Sequence, residues 1–482
     1  MRTRREFIQS VGTAAVGLAA VKGNVADALG AQSSEKLAGK VVDRSDSNYE
    51  LWRKSMIWQR RKSRRYPEVI VQADSTEDVV EAVNYARQRK LRIATRCGGH
   101  NMSACYLRDG GMLLDVSRLA SVQVDKKRRR ASVGPGVISQ GFNERLGHEG
   151  LAFPTAGCGL VPLGGFLLGG GIGLNVNCWG GMSTFNIEAA EVVTADGSAK
   201  YVSAESHPDL FWALRGGGPG LFFVVTKLHL RVYDLPKSIV SSSWTFPFDA
   251  LPEVADAIMQ LGPEMLPGVD LVAGASSAAH SNTITGATKL VATLGATAYS
   301  DSVTLARRAV SPLMSHPILR AAISSNPFNS MSLSEMYFQG ELAFSQRRFV
   351  ADNIYTDRAR EVATLFRDLL PGPHAEQAHA LFVYKGNAKW PESACSMTGQ
   401  SYVAYYQIYD DPALDNTTEE FHMSVFKQLV PLGTGSYINE MNQEGRPGDV
   451  SRCYSAAAWD RMKTLRATWD PGSVFQGFFG ST

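Results

Sequence analysis

The chain has 482 residues, of which 44% are hydrophobic and 20% charged, and its formal net charge is +3. That length exceeds what one core sustains, so two domains are expected, and so small a charge gives no reason to expect nucleic acid or an anionic membrane as partner. Six cysteines, at positions 97, 105, 158, 178, 395 and 453, lack any C-x-x-C spacing and argue against a zinc ribbon or a disulfide scaffold.

The chain opens with Thr3-Arg-Arg-Glu-Phe-Ile-Gln9, a weakly apolar run from Ser10 to Ala20, and Ala26-Asp27-Ala28. This layout predicts a twin-arginine export signal over residues 1–28, a mature protein beginning near Leu29, and a periplasmic or extracellular destination. Pro67–Asp74 then reads as a strand, and Ser75 opens a helix with Asp78 as its capping partner. Leu91–Thr95 is a second strand and runs straight into Arg96-Cys-Gly-Gly-His-Asn101, a turn whose exposed amides suit oxygen ligands. Further strands are expected at Met112–Asp115, Val122–Val124 and Arg130–Val133, and a helix at Val137–Gly147.

From Gly150 to Ile187 no Asp, Glu, Lys or Arg occurs, and eleven of the residues are glycine. Pro162 and that glycine content exclude a continuous membrane helix. Glycine at this density means backbone that approaches something closely or adopts positive φ, as in the wall of a large cofactor site. The G-x-G-x-x-G dinucleotide fingerprint is absent, as are G-x-S-x-G, the P-loop and H-E-x-x-H. Farther on, strand-like pieces at Thr288–Leu294 and Ser401–Ile408 alternate with helical ones at Asp301–Met314 and Thr356–Leu370, an α+β pattern.

Several of these stretches together resemble one family. They are Arg96-x-Gly-Gly-His100, Gly157-Cys158-x-x-Val161, Gly169-Gly-Gly171, Val192-Val-Thr-Ala-Asp-Gly197, His207-Pro-Asp-Leu-Phe-Trp-Ala-Leu-Arg-Gly-Gly217, Tyr437-Ile-Asn439 and Trp469-Asp-Pro-Gly-Ser-Val-Phe475. The family is the berberine-bridge-enzyme-like FAD-linked oxidases of the vanillyl-alcohol-oxidase superfamily. The resemblance covers about residues 67–232 and 435–475 and leaves the middle third without a recognised motif. It implies an α+β fold with a PCMH-type FAD-binding domain at 29–235 and a substrate-binding domain at 236–432. A segment at 433–482 is expected to return to the FAD domain.

The resemblance also implies covalent FAD, bonded through His100 and also Cys158, with Arg96, Gly98, Gly99, Asn101, Gly157, Val161, Gly164, Gly169, Gly170, Gly171 and Val225 around it. Imidazole nitrogen and thiolate sulfur are nucleophiles able to add to an electron-poor ring, which gives the two residue types a chemical reason. The implied reaction takes hydride from a CH-OH or CH-NH carbon and passes electrons to oxygen, because Val161 matches a position where a small aliphatic side chain leaves oxygen a path. The substrate is an alcohol, a carbohydrate or an aromatic or polyketide-like compound. Tyr437 is the expected base, with Asn439 and Glu440 as alternatives for base and orienter, and two or three of Tyr384, Tyr402, Tyr405, Tyr406 and Tyr409 are expected at the pocket.

The sequence departs from the family pattern at Pro162, Phe166 and Ile172, and again in Gly216-Gly-Gly-Pro-Gly-Leu-Phe-Phe-Val-Val225, which predicts a bulkier, drier pocket. A dehydrogenase using another acceptor, and a binding protein without turnover, are the alternatives.

Overall fold

The structure is a computed structural model that describes residues 40–277, 290–344, 346–386 and 390–479. The expected export signal at 1–28 lies outside the described residues. No described helix is long and apolar enough to cross a membrane.

The first half builds two sheets on one core. A four-stranded sheet has the spatial order Val41–Asp43, Val69–Gln72, Met112–Asp115, Ile93–Arg96, and its last three strands run parallel. The helix Thr76–Arg89 makes the crossover that parallel pairing requires, and it starts where expected: the Ser75 side chain accepts from the Asp78 amide while the Asp78 carboxylate accepts from the Ser75 amide. Such a cap contributes about 1 kcal/mol. The second sheet is antiparallel, ordered Val122–Asp125, Arg130–Val133, Phe223–Arg231, Ile187–Thr194, Ala199–Ser203. Val83, Leu114, Val133, Val192 and Phe222 belong to the shared core.

The middle of the chain forms one antiparallel sheet of seven strands, ordered Ser324–Met331, Ser238–Pro247, Leu290–Ser300, Val269–Ser277, Ala378–Tyr384, Ser401–Tyr409, Arg348–Thr356. Side chains alternate across a strand, so the sheet has two working faces. Ala273, Phe382 and Tyr405 point into a core covered by the helices Leu251–Leu261, Ala359–Leu369 and Asp415–Leu429. Tyr402, Ala404 and Tyr406 belong to a separate cluster on the opposite face, which also holds Tyr437.

The end of the chain ties both halves together. The Asn353 side chain brackets Tyr437, donating to its carbonyl at 2.9 Å and accepting its amide at 2.6 Å. Beyond the helix Ala456–Trp469, the Asp470 carboxylate accepts the amides of Val474 and Phe475 at 2.7 and 3.0 Å. Ile93 then donates to Val474 at 2.7 Å and accepts from Gln476 at 2.7 Å, so the tail lies along the strand that ends in the Gly-Gly-His turn.

Candidate active site

A cavity of about 770 Å³ lies between the Gly-Gly-His turn, the glycine-rich stretch and the open face of the seven-stranded sheet. Its wall includes Arg96, Gly98, Gly99, His100, Asn101, Gly157, Cys158, Val161, Gly164, Val225, Tyr437, Asn439 and Glu440. Arg96 and Glu440, 344 positions apart in the chain, thus meet at one site. Gly169, Gly170 and Gly171 are not in the wall; they sit directly behind it.

The turn is held rigidly from below. Arg96 donates to Asp115 at 2.6 Å and to the Met56 carbonyl at 3.1 Å, so it supports the turn from within the fold. A β-carbon at Gly98 would lie 2.1 Å from Cγ of Pro162, and one at Gly99, where φ is +72°, would lie 2.1 Å from the Met56 carbonyl oxygen. Pro162, one of the departures from the family pattern, therefore packs directly on the bare face of Gly98. His100 follows, its ring stacked on Trp58 with centroids 4.5 Å apart. Burial, and then the Arg96 charge, lower His100 to about 3, so its imidazole is neutral and a ring nitrogen keeps its lone pair. Asn101 donates to the Asn439 carbonyl at 3.0 Å and links the turn to the chain's end.

Cys158 is a free thiol, as are the other five cysteines. Burial pushes it up, while the Leu160 and Val161 amides pull the other way. The helix Leu333–Ala343 covers this stretch: a β-carbon at Gly340 would lie 2.4 Å from the Gly157 carbonyl oxygen. Tyr337 anchors the same helix, accepting from Asn143 at 2.6 Å and bonding Thr155.

Also in the wall, Tyr402 donates to Oε2 of Glu440 at 2.6 Å, and Tyr406 donates to the same oxygen. Oε1 receives no hydrogen bond from the described residues. Burial raises Glu440 above the ordinary carboxylate range, and the two tyrosine donors oppose that rise. Tyr437 is fixed differently. Its hydroxyl oxygen accepts from the Gly171 amide at 2.9 Å and from Asn439 at 2.8 Å, and Asn439 also donates to the Phe166 carbonyl at 2.9 Å. Burial first, and then the Glu440 charge, push the Tyr437 phenol upward, the opposite of what a base at neutral pH requires. The glycine triplet explains the close fit: a β-carbon at Gly169 would lie 1.9 Å from Oδ1 of Asn439, and one at Gly170, where φ is +123°, 3.3 Å from the Tyr437 ring.

Of the five candidate tyrosines, Tyr402 and Tyr406 reach the wall, together with Pro219, Leu221 and Phe223 from the altered segment. Tyr405 faces the helix-covered core, Tyr409 donates to Asp415 at 2.8 Å, and Tyr384 packs on Gly262. Trp58, Asn353 and the helix Leu333–Ala343 escaped the reading of the sequence, because no motif marks them. The i, i+4 spacing of Tyr402 and Tyr406 on one strand was the available signal for the pair.

The site suits a flat cofactor: glycines at 98, 99 and 164 let Pro162, Met56 and Pro135 pack tightly against the wall from behind, and the wall presents a neutral imidazole to one cavity. Residues 67–203 match the FAD binding domain family. Fold and site together define an FAD-dependent oxidoreductase with the berberine-bridge-enzyme-like fold. Its relatives are FAD-linked oxidoreductases and oxidases. It is 26% identical over 438 residues, 89% of this chain and 95% of the other, to the FAD-linked oxidoreductase janO of Penicillium janthinellum. It is 35% identical over 247 residues to the (R)-6-hydroxynicotine oxidase of Paenarthrobacter nicotinovorans, 48% of this chain and 52% of that one. BBE-like 1 of Physcomitrella patens superposes with a TM-score of 0.78 at 20% identity, over 93% of this chain and 98% of that one.

Proposed function

We propose that this protein is an exported oxidase that removes hydride from a carbon bearing OH or NH, with Glu440 as the base. The observation that carries the reading is the arrangement of Glu440: both tyrosines hold Oε2, and Oε1 is left for a proton from the donor. A carboxylate raised by burial and opposed by two tyrosine donors meets the requirement for a general base better than a phenol that burial also raises. Tyr437 and Asn439 become positioning residues, tied to the glycine triplet behind the wall. When bound, FAD supplies the two-electron acceptor that takes the hydride and passes the electrons to oxygen, which leaves as hydrogen peroxide.

His100 and Cys158 are the proposed covalent anchors. Neutral imidazole favours attachment at His100, whereas burial of the Cys158 thiol slows attachment there. The oxygen step is supported by the small side chain of Val161 in the cavity wall and by the oxidase among the relatives. Export rests on the Arg-Arg leader, and Arg4→Lys together with Arg5→Lys should retain the protein in the cytoplasm on cell fractionation. The decisive test is mass spectrometry of flavin-bearing peptides from the wild type, His100→Ala and Cys158→Ala, combined with peroxide detection on a donor panel. Flavin released entirely by acid from the wild type refutes the covalent reading, and turnover without peroxide refutes the oxidase reading.

A further inference from the structure

The sheet face beyond Glu440 has a polarity pattern that follows from strand register. Tyr402 pairs with Val383, Val383 with Val272, and Val272 with Gly295 on four neighbouring strands. The hydroxyl of Tyr402 is already committed to Glu440, and Gly295 carries no side chain, a β-carbon there meeting only the carbonyl oxygens of Val272 and Ser242 at 3.8 and 3.9 Å. Two residues along from Gly295, and so on the same face, Thr297 pairs with Ser241. Tyr402, Val383, Val272, Thr297 and Ser241 all line the cavity. Strands lie ~4.8 Å apart and rise ~3.4 Å per residue, so three strands across and two residues along put Thr297 ~16 Å from Tyr402. The wall therefore runs from a base, over an apolar floor, to a pair of hydroxyls at the far edge. Phe344 and Met336 line the same cavity, the first packed edge-on against Tyr406 at 5.1 Å.

We propose that the donor is an elongated, apolar, multi-ring alcohol or amine, oxidised at one end beside Glu440 and carrying a hydrogen-bonding group at the other end for Thr297 and Ser241. This rests on the reading of Glu440 as the base. A sugar is a poor occupant, because each hydroxyl laid over Val383 and Val272 would lose its water partners without replacement. An anionic donor is disfavoured by the Glu440 carboxylate. Met336 in the lining lets the chamber adapt to ring systems of different outline.

The test compares three probes on the purified yellow protein: a 17-hydroxy-3-ketosteroid, benzyl alcohol and cellobiose. Anaerobic bleaching of the flavin and the thermal shift of the Glu440→Gln variant are both read. The ketosteroid should half-saturate at a concentration at least about ten-fold below benzyl alcohol, and cellobiose should do neither, since each apolar contact in such a chamber is worth about ten-fold or more. Val272→Asn should remove the preference for the long probe. Where that variant gives too little yellow protein, the isosteric Val272→Thr should weaken it in the same direction. Thr297→Val should weaken ketosteroid binding several-fold and leave benzyl alcohol unchanged. Cellobiose binding more tightly than the ketosteroid, or Val272 variants with unchanged preference, overturns the proposal while the oxidase reading stands. Ketosteroid binding to Glu440→Gln with no bleaching of the wild type by any probe leaves the chamber intact and overturns the base assignment instead.

Discussion

Removing the charge of Glu440 while keeping its shape is the sharpest test of the site. Glu440→Gln retains an oxygen for Tyr402 and Tyr406 to bond but cannot take a proton from the donor. Loss of a general base costs about 10²- to 10⁴-fold in rate, so flavin reduction at saturating donor should fall by that factor with little change in donor affinity. The sign of the pH dependence follows from the active form being the carboxylate. In the wild type, reduction should rise with pH through the raised Glu440 value and then level off, and the variant should lose that limb. The tyrosines supply a second measurement. A hydrogen bond to a charged group is worth about 1.5–3 kcal/mol, and one pKa unit corresponds to about 1.36 kcal/mol. Tyr402→Phe or Tyr406→Phe should therefore shift the acid limb upward by about one to two units. Burial disfavours the ionised acid in the folded state, so the folded protein gains nothing from Glu440 ionising and Glu440→Gln should not lower the melting temperature at pH 7. Stopped-flow reduction across pH 5–9 reads the rates and the limbs, and thermal unfolding at pH 7 reads the stability. An unchanged rate in Glu440→Gln, or an unmoved limb in both tyrosine variants, refutes the assignment.

Three further expectations concern the frame around the site. Gly98→Ala should abolish accumulation of yellow protein, since its β-carbon would lie 2.1 Å from the rigid Pro162 ring, and absorbance near 450 nm on the purified protein checks it. Asp352→Ala leaves Arg446 buried without the carboxylate that it meets at 2.7 Å through both Nε and Nη2, and should destabilise the fold by about 3–5 kcal/mol in urea unfolding. His422 is stacked flat between Tyr405 at 4.9 Å and Phe426 at 5.4 Å, and burial, then the Arg446 and Arg61 charges, lower it to about 3. The unfolded chain binds that proton near pH 6.5, so stability should fall by up to about 1.4 kcal/mol per pH unit below it; His422→Phe should remove this loss and raise the melting temperature most at pH 5.

The first half of the fold was legible because its signals are local. Pro67, a run of valine and isoleucine, and Ser75 with Asp78 mark a strand and a capped helix within a dozen residues, and the observed strand Val69–Gln72 lies inside the expected range. The expected helix at Thr356–Leu370 begins three residues late, at Ala359, because Thr356 still belongs to a strand. The seven-stranded sheet was mostly hidden. Its order brings Ser238–Pro247 beside Ser324–Met331 and Ala378–Tyr384 beside Val269–Ser277, pairings set by packing far along the chain that no local periodicity encodes. The run Tyr402-Val-Ala-Tyr-Tyr-Gln-Ile-Tyr409 showed that tyrosines would divide between two faces. It could not show that the face of Tyr402 and Tyr406 is the one turned to the cavity.

The same limit explains why the sequence pointed first to Tyr437 while the proposed base is Glu440. Tyr437-Ile-Asn439-Glu440 places three candidate groups within four residues, and local order cannot rank them. Their surroundings can. Donors from Gly171 and Asn439 lower the Tyr437 phenol, but burial outweighs them, and the charge of Glu440 beside it adds to the rise. A phenol starts near 10 and must come down by about three units to serve at pH 7, against both of those effects. A carboxylate starts near 4.3 and needs only to rise, which burial supplies and two tyrosine donors hold in check. Both groups are buried and pushed upward, so they differ by where they began, and on that difference we propose Glu440 rather than Tyr437 as the base.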